Sequence, residues 1–118
     1  MAADEEGAGT VLAAALAMAL LLLTVLVLGV GQAAVAAGKA ATAADLAALA
    51  AADAYRGIST GVPCLVAADV AAVHGATLLE CRLLGSGSVQ VKVAFQTSLP
   101  WPAHGQARAG PPPDTPSP

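Results

Sequence analysis

No charged residue occurs between Glu6 and Lys39, and this uncharged stretch of 32 residues decides what the rest of the chain can become. Its core, Thr10–Val30 (TVLAAALAMALLLLTVLVLGV), is long enough as a helix to cross roughly 30 Å of hydrocarbon. A helix that is apolar on every side needs complete cover in a soluble protein. A chain of 118 residues that also carries a proline-rich tail cannot supply it. Apolar residues make up 57% and charged residues 11% of the sequence, with a mean hydropathy of +0.72. Soluble domains usually have about a quarter of their residues charged. A cleaved secretory signal competes with a retained anchor. Such signals carry a basic n-region and a shorter apolar core of about 7–15 residues. Here the n-region is the acidic MAADEEG and the apolar run is longer, although Ala34-Val35-Ala36 has the small residues of a cleavage site. A single-pass anchor is therefore expected, with a small secreted binding module released near Ala36 as the alternative.

The predicted organisation is a polar stub at 1–9, a transmembrane helix at 10–30, an alanine-rich continuation at 31–56, a small head at 57–99 and a tail at 100–118. Gln32–Arg56 contains no proline, and its only glycine is Gly38, so the helix is expected to run on to Tyr55. From Thr10 it would be about 70 Å long. On a helical wheel Lys39, Thr42, Asp45, Leu46, Leu49, Asp53 and Arg56 share one side. Ala37, Ala41, Ala44, Ala48 and Ala52 form a small-residue face suited to close approach by a partner helix. The competing explanation is alanine chosen only for helix propensity.

Gly57–Pro63 (GISTGVP) should end the long helix. A short helix is expected over Cys64–His74, with Val66, Val70 and Val73 on one face and Gly75 as its stop. Two strand patterns follow. In the first, Thr77, Leu79, Cys81 and Leu83 alternate with Leu78, Glu80 and Arg82. In the second, Val89, Val91, Val93 and Phe95 alternate with Gln90, Lys92 and Gln96. Leu84–Ser88 (LGSGS) joins them as a hairpin. The predicted fold class is thus α+β: a long pilin-like N-terminal helix, a small αββ head and a disordered proline-rich tail from Pro100 to Pro118. Trp101 lies in that tail, either packed on the head or at a membrane surface. Cys64 and Cys81 are the only cysteines. In a tiny domain outside the cytoplasm such a pair is expected to form a disulfide contributing about 3 kcal/mol, with two buried free thiols as the alternative.

Charge and motif content exclude several functions. The basic residues Lys39, Arg56, Arg82, Lys92 and Arg108 are scattered singly, so no stripe tracks nucleic-acid phosphates. His74 and His104 do not combine with the cysteines at zinc-ligand or Cys–His spacing. His74 fits the negative end of the short helix's dipole. Asp69 and Glu80 are isolated, and GSGS follows no phosphate-loop pattern. No enzyme activity, cofactor or metal is expected. Two features disagree on orientation. The charges after the anchor favour a cytoplasmic C-terminal side by the positive-inside rule, whereas the cysteine pair favours an exported head.

Taken in order, GTVLAAALAMALLLL, AADLAALAAADA, PCLVAADVAAVHGATLLECRLLGSGSVQVKVAF and ARAGP resemble the TadE/TadG-like family of tight-adherence (Flp) pilus assembly, in its short actinobacterial form. The resemblance spans nearly the whole chain. It implies a pilin-like accessory subunit of minor-pseudopilin type, held in the bilayer by its N-terminal helix with the head outside the cytoplasm. It further implies partnership with other pilus-assembly subunits through helix packing and no catalysis. Precursors of this type are cut after a glycine and carry a glutamate five residues on. Matching that glycine to Gly7 makes Ala8 the first residue and puts Leu12 where the glutamate belongs. Asp4, Glu5 and Glu6 replace the usual basic residues, which fits a native stub beginning upstream of Met1.

Overall fold

A computed structural model describes the backbone of residues 2–112 and the side chains of residues 7–112. The elements in order are α1 (Ala2–Tyr55), α2 (Pro63–Val73), β1 (Ala76–Leu84), a short 3-10 turn (Gly85–Gly87), β2 (Ser88–Phe95) and β3 (Ala103–Ala109). The chain forms two compact units, Met1–Gln32 and Ala33–Pro118, described separately below.

In the first unit the large apolar side chains among the described residues are all exposed. They range from 55% exposure at Leu23 to 68% at Val11. The Thr24 hydroxyl bonds within the helix, Oγ1 donating to the Leu20 carbonyl at 2.8 Å. That bond satisfies the hydroxyl without any outside partner.

In the second unit an antiparallel sheet of order β1-β2-β3 carries one apolar face. Pairing sets Leu78 beside Val93, Cys81 beside Val91 and Leu83 beside Val89, and it continues to Gly105, Ala107 and Ala109 on β3. The alanine-rich part of α1 lies on this face. Ala36, Ala40, Ala43, Ala44, Ala47, Ala48, Ala51 and Ala52 are buried, the last six within the cluster that contains Val89, Val91 and Val93. Alanine is required here because a side chain larger than methyl would hold helix and sheet apart. The helix ends in a Schellman arrangement: the Gly57 N–H donates to the Ala54 carbonyl and the Ile58 N–H to the Asp53 carbonyl at 3.2 and 2.9 Å. Gly57 takes φ +77°, which side chains rarely allow.

α2 starts on Pro63, where a missing N–H costs nothing, and His74 caps its end by donating its N–H to Ala71 at 3.1 Å. It packs through Ala67 and Ala71, with Val66 and Val70 half-buried beside them.

Four expectations are corrected. The tail is not disordered throughout, because Ala103–Ala109 forms β3 and makes the head αβββ; residues 113–118 lie outside the described residues. The mainstay of this strand is its fit: Ala103, Gly105, Ala107 and Ala109 are small enough to lie under the helix. Of the alternating set Thr77, Leu79, Cys81 and Leu83 in β1, only Cys81 is even partly buried, and Leu83 is 48% exposed. A register shift between Leu78 and Glu80 inverts the alternation, turning Ala76 and Leu78 inward and leaving Thr77 and Leu79 exposed. Val73 does not join the buried face of α2, since it lies at the helix end with 82% exposure. Finally, the small-residue face of α1 is rotated. Ala44, Ala48 and Ala52 are buried, but Ala37 and Ala41 are exposed. Residues four apart form a row that slants around the helix, whereas the stripe opposite Asp45 and Leu49 runs through Ala36, Ala40, Ala43, Ala47 and Ala51.

Candidate functional site

Three places carry the features singled out in the sequence. The first is the apolar run of α1. It is the one described helix long and apolar enough to cross a membrane, and none of its most apolar 18-residue window is buried. Gly7 and Ala8 lie within α1 and are exposed, and nothing stands within 4 Å of a Cβ added at Gly7. Leu12, 61% exposed, lies one helical turn further on.

The second is the join between α2 and the sheet. Cys64 in the first turn of α2 is bonded to Cys81 on β1, with their Cα atoms 5.8 Å apart. β1 brings Cys81 to that position because the shift near Leu79 restores it to the inner face. Both cysteines are engaged, and among the described residues no group of three His, Cys, Asp or Glu side chains could hold a metal ion.

The third is a shallow groove of about 710 Å³ at one end of the head, lined by α1, the turn after α2, and Phe95. Lys39 Nζ lies 5.7 Å from the centre of the Phe95 ring, within cation–π range. His74 lines the same groove. His104 is on β3, paired beside Ala94 on the outer face of the sheet, so the two histidines do not converge. Asp69 and Glu80 are exposed, and Glu80 meets Arg82 at 3.7 Å in a solvent-screened pair. Among the described residues these side chains set no nucleophile beside a base.

The chain matches no known protein family, and no curated protein or solved structure is significantly similar to it.

Gly105 is a position that sequence reasoning missed. It is buried against the Ala40 carbonyl, and a Cβ there would collide with the backbone of α1. The signal available was the alternation of Ala103, Gly105, Ala107 and Ala109 with His104, Gln106 and Arg108. It is a strand period written in small residues and flanked by prolines.

Proposed function

We propose that this chain is a single-pass membrane protein, with its N-terminus cytoplasmic and its head outside, acting as a TadE/TadG-like, pilin-like accessory subunit in Flp pilus assembly. The observation that carries the reading is the bare apolar run of α1, none of whose most apolar 18-residue window is buried. The apolar face of the sheet is occupied by α1 alanines, while every leucine, valine and methionine of Thr10–Val30 is exposed. A bilayer supplies the cover. The disulfide supports an oxidising compartment for the head and an orientation opposite to the positive-inside vote.

The alanine stripe has a consequence for assembly. Ala44, Ala48 and Ala52 of the face expected to meet another helix are spent inside the head, which leaves packing with partner subunits chiefly to the membrane run, where Gly9, Ala13 and Ala17 repeat at four-residue spacing. Leu12 offers no carboxylate to pair with a neighbour's amine, which removes the strongest drive to polymerise within a bilayer. The purified protein, alone in a membrane, is therefore expected to form dimers at most. Filaments seen by electron microscopy would overturn this, as would a processed N-terminus in a register other than Gly7–Ala8.

Membrane retention is the direct test of the anchor. Full-length chain should stay with membranes through carbonate extraction and leave only in detergent. A soluble fragment beginning near Ala37, identified by mass spectrometry, would replace this reading with the secreted module. Co-purification of the detergent-solubilised protein with a secretion ATPase and its membrane platform tests the assembly role.

A further inference from the structure

The sheet register gathers several unusual residues at one end of the head. Phe95 pairs with Ala76 on one side and Ala103 on the other. The turn that follows α2 and the 96–102 connection therefore emerge together. α1 enters the head at this same end, since Val35 and Lys39 line the groove with Val73, His74 and Phe95. Large apolar side chains are left in solvent here, among them Val73 at 82%, Trp101 at 62% and Val35 at 58% exposure. The Trp101 segment is not a loose end: Thr97 Oγ1 donates to the Trp101 carbonyl at 2.7 Å, and the Leu99 N–H donates to Thr97 Oγ1 at 3.0 Å. The residues that line the groove include Lys39 and no carboxylate.

We propose that this end of the head docks on an anionic lipid surface, with Trp101 and Val73 entering the headgroup region and Lys39 meeting lipid phosphate. The inference rests on the membrane-anchor reading above. Val35 follows Val30, the last residue of the apolar run, by a length of chain that reaches at most about 18 Å even when extended. Covalent continuity thus keeps this end near the bilayer surface, whatever the arrangement of the two units. Tryptophan favours that zone because its ring is apolar and its N–H is not. A lysine can lay its methylenes on Phe95 and keep its ammonium among phosphates. The opposite end, with the Gly85–Gly87 turn, has no tryptophan.

Trp101 is the only tryptophan of the chain, so its emission reports this site alone. The test uses the full chain in vesicles of phosphatidylcholine with about 30% phosphatidylglycerol, with and without brominated acyl chains. Vesicle flotation is scored in the same samples. Brominated lipid should quench Trp101 roughly twofold, with protection from acrylamide that weakens in pure phosphatidylcholine. Val73→Asp puts a carboxylate on a solvent-exposed position and should reverse most of the quenching with the fold intact. Protein that floats with vesicles but shows acrylamide-accessible, unquenched Trp101 overturns the proposal and leaves the anchor standing. Trp101 shielded from acrylamide yet insensitive to brominated lipid overturns it too, in favour of a protein partner. Failure to float overturns the anchor reading and this inference with it.

Discussion

Replacing Gly105 by leucine is expected to unfold the head. Gly105 sits on β3 where the strand crosses under α1, and an added Cβ would fall on the Ala40 carbonyl and crowd the Ala41 nitrogen. Both are helix backbone, so no side chain can rotate aside to make room. Relief requires the helix to lift from the sheet, which exposes the alanine–valine core on both sides. Even Gly105→Ala is expected to cost about 2 kcal/mol, and Gly105→Leu more than about 3 kcal/mol, a large share of a small domain's stability. His104, next in sequence but exposed on the outer face, is the control, and His104→Ala should change stability by less than about 0.5 kcal/mol. Denaturant titration of the detergent-solubilised full chain, followed by Trp101 emission, gives the comparison. A Gly105→Leu midpoint equal to that of the unaltered protein would mean that β3 does not bear on the helix as described.

The same strand shows where the sequence was readable and where it was not. β2 announces itself because Val89, Val91 and Val93 are β-branched and alternate with polar residues, and all three prove buried. The helices were legible for equally local reasons: an uncharged run, alanine without proline, then Gly57 and Pro63 as punctuation. β3 has the right period but the wrong residue types, since alanine and glycine have low strand propensity and prolines surround them. Its smallness becomes intelligible only when the opposing surface is known to be an alanine helix lying close. The shift at Leu79 was equally hidden, because an extra residue in a strand leaves no mark in a pattern where both phases contain leucine. The groove around Lys39, Val73 and Phe95 joins three distant segments, so no window of sequence contains it. Of the residues singled out, Cys64 and Cys81 are brought together, Gly7 and Ala8 are exposed on α1, and the alanine face is present but turned.

Removing the disulfide is expected to be the other severe change, because the core it supports is thin. The largest fully buried side chains are Val89, Val91 and Val93, and the rest of the buried cluster consists of alanines. A methyl group buries little apolar surface, so a core of this composition gains less from the hydrophobic effect than one of leucine and phenylalanine. α2 depends most on the bond. Its own fully buried residues are only Ala67 and Ala71, and Cys64–Cys81 holds its first turn to β1. The bond closes a separation of 17 residues, which in the chain-entropy account removes about 3 kcal/mol of freedom from the unfolded chain. Cys64→Ser with Cys81→Ser should lower stability by about that amount. α2 should become the first segment cut by protease, while α1 within the membrane remains protected. The native protein is expected to resist alkylation until it is reduced. If both thiols label without reductant, the case for an exported head loses its chief chemical support, and the positive-inside vote of Lys39 and Arg56 becomes the better guide to orientation. If the double serine variant keeps full stability, the alanine–valine core is sufficient by itself and the bond only follows from the compartment.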